Sequence, residues 1–188
     1  NMFRFNFLET PLKGLISVQR NIIEDDRGFL SRFYCKEEFS AAGFDIAIVQ
    51  MNHTLTCKKG AIRGLHFQQS PYAETKVVSC LKGEIMDVAV DLRQGSPTYL
   101  QWHSEILSAK NRCSLIIPEG FAHSFQTLTE DCELIYLHTA TYNPESEGGL
   151  NVSDPELNIN WPLPIEDLSV RDQNHSLIKN SNFQGVIL

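Results

Sequence analysis

The chain has 188 residues, 42% of them hydrophobic, and a formal net charge of −7. That size fits one domain over residues 1–188 with a sizeable core, and the acidic balance without Lys/Arg clusters argues against a general nucleic-acid or anionic-membrane surface. No apolar run approaches the roughly 20 residues that span a bilayer, and no charged leader precedes a greasy stretch, so a soluble protein is expected. Asn1 ahead of Met2 reads as a cloning remnant. In chain order, runs rich in β-branched and aromatic residues predict strands over 15–18, 47–51, 76–80, 85–91, 114–117 and 133–139. Short helices are predicted over 36–42 and, as one turn, 165–168. This rhythm describes an all-β sandwich or barrel. Within 85–91, period-two alternation puts Asp87, Ala89 and Asp91 on one face. The segment 151–164 reads as an ordered loop laid across the barrel, anchored by Leu150, Leu157, Ile159 and Trp161. Five cysteines, odd in number and without a CxxC pair, suit reduced thiols in the cytoplasm, each expected to be a small buried hydrophobe.

The stretch Gly60-Ala61-Ile62-Arg63-Gly64-Leu65-His66-Phe67-Gln68 has the shape of the first motif of a cupin barrel without its metal logic. In a metal-binding cupin, a glycine is followed six residues later by His-x-His, then by a glutamate seven residues ahead of a closing glycine. Here Gln68 replaces the second histidine, and seven residues before Gly83 stands Lys76. An amide and an ammonium make a poor divalent-metal site, so no metal is expected. A histidine and a lysine facing into a metal-free barrel suit proton abstraction beside a carbonyl, with the lysine steadying the oxyanion. The second half of the pattern is Pro118-Glu119-Gly120-Phe121-Ala122-His123, a tight turn that delivers His123 into the barrel. Taken singly, either histidine is more often structural; two in matching motifs shift the balance toward function.

Arg63 lies three residues from His66, which on a regular strand puts it on the other face as a surface cation. A bulge there would instead let its guanidinium grip a phosphate. Tyr136 and Tyr142 have packing as their ordinary role, and Asp172 would ordinarily be a helix cap or solvated turn.

Together these residues resemble the dTDP-4-dehydrorhamnose 3,5-epimerase family. The resemblance runs from about Gly14 to Asp172. Asp26-Arg27-Gly28-Phe29, the RGLHFQ stretch, Lys76 in Glu74-Thr75-Lys76, residues 87–93 with Gly95-Ser96-Pro97-Thr98, the PEGFAH turn, Tyr142-Asn143-Pro144, Asp154-Pro155 and Asn160-Trp161-Pro162 carry it. It implies a double-stranded β-helix jelly roll with short peripheral helices, dimeric, each subunit helping to close the other's site. It implies His66 as general base, Asp172 as its orienting carboxylate, Tyr136 as the acid on the opposite face and Lys76 beside the keto oxygen. Around the nucleotide diphosphate and sugar it places Arg27, Gln50, Asn52, Arg63, His123 and Tyr142, with Asp87 inside the barrel near His66 or Lys76. No redox cofactor is needed, because hydrogen leaves and returns as a proton.

The expected partner is a nucleotide-diphosphate sugar, and the expected reaction inverts C3, C5 or both of a 4-keto-6-deoxyhexose. Arg32 and Leu30 stand where many family members carry a glutamate and an aromatic, in the region that resembles the base-binding segment. Ser124 follows His123 where glycine is common. The competing readings are a non-catalytic sugar-nucleotide-binding cupin, which needs no acid and base on opposite faces, and a metal-dependent cupin, which Gln68 and Lys76 disfavour.

Overall fold

In the computed structural model, residues 3–188 are described, and the reading of Asn1 as a cloning remnant falls outside them. The described strands are β1 (Phe5–Glu9), β2 (Ile16–Arg20), β3 (Ile23–Asp25), β4 (Gly28–Leu30), β5 (Gln50–Thr56), β6 (Ile62–Gln68), β7 (Lys76–Lys82), β8 (Glu84–Asp91), β9 (Trp102–Ser108), β10 (Cys113–Ile117), β11 (Phe121–Thr127), β12 (Cys132–His138) and β13 (Glu147–Gly149). They form a six-stranded sheet in the order β1-β2-β10-β7-β12-β5, a five-stranded sheet in the order β13-β6-β11-β8-β9, and the separate hairpin β3-β4. This is the jelly roll of the cupins.

Three apolar clusters explain the layering. Val78, Cys80, Leu115 and Leu134 from the larger sheet meet Ile85, Ala89, Leu107, Phe121 and Phe125 from the smaller one, filling the space between them. The outer face of the larger sheet is covered by helix α1 (Lys36–Ala41), through Phe39, and by Phe44, Ile46 and Ile48 behind it. The outer face of the smaller sheet carries Leu65, Phe67, Met86, Val88 and Val90 under Leu150, Val152, Leu157, Ile159 and Trp161. The segment 151–164 thus lies across the barrel on its expected anchors. The Trp161 indole also donates to the Val152 carbonyl at 2.8 Å.

Two sequence expectations shift. The strand expected over 47–51 runs instead as Gln50–Thr56, because Ile46 and Ile48 turn inward to cover the larger sheet. No helical turn forms at 165–168. There Asp167 bridges Ala61 in parallel and its carbonyl accepts from the Ile62 amide. The helix comes later, as α2 (Val170–Gln173), where Ser169 supplies an N-cap oxygen to the Asp172 amide at 3.1 Å. The five cysteines are free, but only Cys80 and Cys132 are the expected buried hydrophobes; Cys57 is exposed. Among the described residues no helix is long and apolar enough to cross a membrane.

Candidate active site

The site begins with an irregularity in β6. Ile62, Leu65 and Phe67 all enter the cluster beneath the C-terminal segment. Their spacing of three and then two residues means that the pleat changes parity between 62 and 65. The pairing with β11 slips at the same place, with His123 opposite His66 but Ser124 opposite Gly64. Gly64 has φ +121°, and a Cβ there would lie 2.6 Å from the His123 carbonyl oxygen, so only glycine fits. The slip resolves the question about Arg63: it emerges on the same side as His66, and both border a groove of about 700 Å³. Its guanidinium rests on the Thr56 hydroxyl at 3.0 Å and the Leu55 carbonyl at 2.9 Å, with the residue exposed.

His66 Nε2 and Asp172 Oδ1 are 2.6 Å apart. An ionised carboxylate only accepts, so Nε2 carries the proton and Nδ1 keeps the lone pair. Asp172 Oδ2 accepts the Gly64 amide at 3.1 Å, and Oδ1 also receives His175 Nε2 at 3.2 Å. Burial pushes the Asp172 carboxyl up, but these bonds and the His66 charge outweigh it and hold the group at about 2. Arg171 stands 3.1 Å from the same His66 nitrogen but pairs with Glu147 at 2.7 Å. A nitrogen that donates to Asp172 has no lone pair left for the guanidinium, so the first distance is a contact, not a bond.

A cavity of about 360 Å³ opens on the other side of His66. Gln50, Asn52, Lys76, Glu74, His138 and Tyr142 also border it, so most of its polar groups come from the larger sheet and its connections, facing His66 on the smaller one. Lys76 lies 3.6 Å from Glu74. Gln50 accepts the Tyr142 amide at 3.0 Å, and the Tyr142 hydroxyl donates to Glu147 at 2.7 Å. Tyr136 is not among the bordering residues. It sits partly buried between two imidazoles, edge-on to His123 with centroids 5.9 Å apart and stacked on His138 at 6.0 Å. Burial, and next the Asp87 charge, push its phenol well above the usual range, which keeps it a proton donor.

His123 Nε2 and Asp87 Oδ1 are 2.6 Å apart in full burial, and the Lys76 charge acts on both. Burial raises the carboxyl and lowers the imidazole, favouring the uncharged form of each. Asp87 therefore belongs with His123 and Lys76. Gln68 is a clamp, donating to the Tyr72 carbonyl at 2.8 Å and accepting the Asn143 amide at 2.9 Å. Arg27 lies apart: its side chain is 90% exposed at the tip of the β3-β4 hairpin, held by Asp25, and it borders neither space around His66 in its own chain.

Among the described residues His66, Asp172 and His175 are the one trio whose donor atoms lie within 4.8 Å of one another, the ligand set a divalent ion would use. The Arg171 guanidinium 3.1 Å from His66 Nε2 opposes a cation there. Sequence reasoning passed over His175, Glu147, Glu74 and His138. Period two from Tyr136 would have put His138 on the inner face; His175 lies past the end of α2 and left no such periodic signal.

A cupin jelly roll with a carboxylate-bound imidazole facing an ammonium across a sugar-sized cavity is the architecture of a proton-transfer enzyme. The family model for dTDP-4-dehydrorhamnose 3,5-epimerase matches residues 9–180. The dTDP-4-dehydrorhamnose 3,5-epimerase of Methanothermobacter thermautotrophicus is 39% identical over 176 residues, covering 92% of this chain and 94% of that protein. A dTDP-4-dehydrorhamnose 3-epimerase of Streptomyces niveus is 36% identical over 177 residues, covering 94% and 85%. The crystal structure of a Legionella pneumophila dTDP-6-deoxy-D-glucose-3,5-epimerase in complex with dTDP-4-keto-L-rhamnose superimposes with a TM-score of 0.88 at 38% identity, covering 93% of each chain. The chain belongs to the dTDP-4-dehydrorhamnose 3,5-epimerase family.

Proposed function

We propose that the protein is an epimerase that inverts C3, C5 or both of a dTDP-4-keto-6-deoxyhexose by deprotonation and reprotonation through an enolate. The observation that carries this is the 2.6 Å bond between His66 and Asp172 at a cavity whose far wall holds Lys76. A binding module would have no use for a base oriented in this way. The 4-keto group acidifies the hydrogens on both neighbouring carbons. His66, its Nε2–H directed to Asp172, takes one of them at Nδ1, and the electron pair passes to the keto oxygen, where the Lys76 ammonium offsets the charge. The enolate then collapses onto a proton given from the opposite face by the Tyr136 phenol, which inverts the carbon. No cofactor or metal takes part in this scheme.

Gln50, Asn52 and Tyr142 at the cavity, with His123 and Asp87 behind it, are assigned to the sugar side, and Arg63 in the adjoining groove to the diphosphate. Arg27 reaches a site only in a homodimer, by entering the groove of a second copy. Support for that assembly comes from the exposed apolar residues Val49, Met51 and Leu55 on or beside the edge strand β5, and Phe29 and Leu30 on the hairpin. The five free thiols favour a reducing compartment, the cytoplasm.

Incubation with dTDP-4-keto-6-deoxyglucose in deuterated water is expected to place solvent deuterium at C3, C5 or both. His66→Ala should slow this by roughly 10²–10⁴-fold. Absence of exchange with the unaltered protein, or undiminished exchange in the variant, overturns the reading. Arg32 and Leu30 bear on the base, and thermal shifts with thymidine, uridine, cytidine and guanosine diphosphates rank it.

A further inference from the structure

The cavity wall facing His66 holds a second histidine–carboxylate pair that the scheme above leaves idle. His138 Nδ1 lies 3.1 Å from Glu74 Oε2, and the other Glu74 oxygen lies 3.6 Å from Lys76 Nζ. His138 Nε2 lies 3.3 Å from the Asn52 side-chain amide. The His138 and Glu74 side chains are only 11% and 10% exposed, yet both border the 360 Å³ cavity together with His66, Lys76 and Asn52. The strand ladder dictates this placement. His138 follows Tyr136 by two residues and so shares its face, and it stands directly opposite Lys76 on β7. Glu74, just before β7, fixes the imidazole through Nδ1 and leaves Nε2 for the cavity. Burying a polar pair of this kind costs desolvation that apolar side chains would avoid.

We propose that His138 is a further catalytic residue, an acid that protonates one of the two carbons flanking the keto group while Tyr136 serves the other. The inference rests on the epimerase reading and deepens it. C3 and C5 lie on opposite sides of the carbonyl, and one donor on a rigid strand addresses one of them in a given ring pose. Tyr136 and His138 stand at alternate positions of β12 with ring centroids 6.0 Å apart, and of the two His138 borders the cavity. Glu74 takes the Nδ1–H, and His138 Nε2, 3.3 Å from Asn52 Nδ2, faces the cavity; once protonated there, with Glu74 balancing the charge, it presents an Nε2–H to the bound sugar.

After His66 has taken the carbon's proton, the enolate electron pair forms the new C–H bond with the His138 proton, and the C=O bond is restored. His138 is left neutral and His66 protonated. Exchange with water returns each to its starting state.

The test is the ratio of doubly to singly inverted sugar formed from dTDP-4-keto-6-deoxyglucose in deuterated water, read by NMR at C3 and C5 separately. In His138→Gln the ratio is expected to fall by about a hundredfold as a singly inverted sugar accumulates. Glu74→Gln, which leaves the imidazole in place, is expected to lower it in the same direction and stands in should His138→Gln fail to fold. Exchange by the unaltered protein at one carbon alone, or with the same ratio in the variants, overturns the inference alone. No exchange by the unaltered protein overturns the epimerase reading and the inference with it.

Discussion

Asp172 is the most heavily used carboxylate of the site: His66, His175 and the Gly64 amide converge on its two oxygens. Such a carboxylate fixes the imidazole tautomer and, in the proposed mechanism, stabilises the imidazolium that forms when a carbon proton is taken. In Asp172→Asn an amide N–H meets His66 in place of an anion, and the tautomer with the lone pair on Nδ1 loses its support. The expected outcome is a fall in kcat of roughly 10³-fold with KM little changed, measured by steady-state epimerisation. A raised KM with kcat unchanged would make Asp172 a binding group. His66 and Lys76 stand inside short motifs that carry the resemblance, whereas Asp172 was reached only as what the resemblance implied; the structure brings His66 and Asp172 together, with Lys76 at the cavity that His66 borders. His138 and Glu74 were not legible in the sequence, since a histidine inside an apolar strand run looks like packing until the segment leading into the neighbouring strand β7 supplies its carboxylate neighbour. His175 escaped for a related reason: it approaches Asp172 only because Gly149 leaves room, where a Cβ would lie 2.1 Å from its ring.

Among the elements, β6 decides how the site is built, because its change of pleat parity lets one strand send Leu65 and Phe67 into the core and both Arg63 and His66 toward solvent-filled space. The slip depends on Gly64. Gly64→Ala adds a methyl against the His123 carbonyl and the Ser124 side chain at a φ that L-residues avoid. A loss of about 2–4 kcal/mol is expected, read as a lower melting temperature in a thermal scan, with an unchanged temperature counting against the slip as the site's foundation. Strands β7, β8, β10 and β12 were legible as apolar or alternating runs because both their neighbours are strands and their faces are covered. The half-exposed β5 was misplaced, and the helix near 165 was displaced, because their positions follow from partners distant in sequence. Ile46 and Ile48 serve the outer layer instead of the ladder, and Asp167 is drawn into a bridge with Ala61. A parity change such as that in β6 leaves no mark in a period-two pattern except a glycine.

For the molecule as a whole, Asp172 is also a fastener. It ties α2 to β6 across 106 residues of sequence, and the C-terminal segment that covers the smaller sheet runs between those two points. On the proposed mechanism, its charge therefore couples catalysis to acid stability. The folded-state value of about 2 lies below the ordinary carboxyl value of 3.8, so folding is favoured by ionisation. The stabilisation is present above about pH 4 and is lost as pH falls through the folded value. Asp172→Asn lacks this contribution at every pH. The difference in melting temperature between the unaltered protein and Asp172→Asn is thus expected to be widest near pH 5 and to close as the pH approaches 2. A gap that stays constant over that range would mean that the His66 and Gly64 bonds to this carboxylate do not hold the C-terminal layer in place.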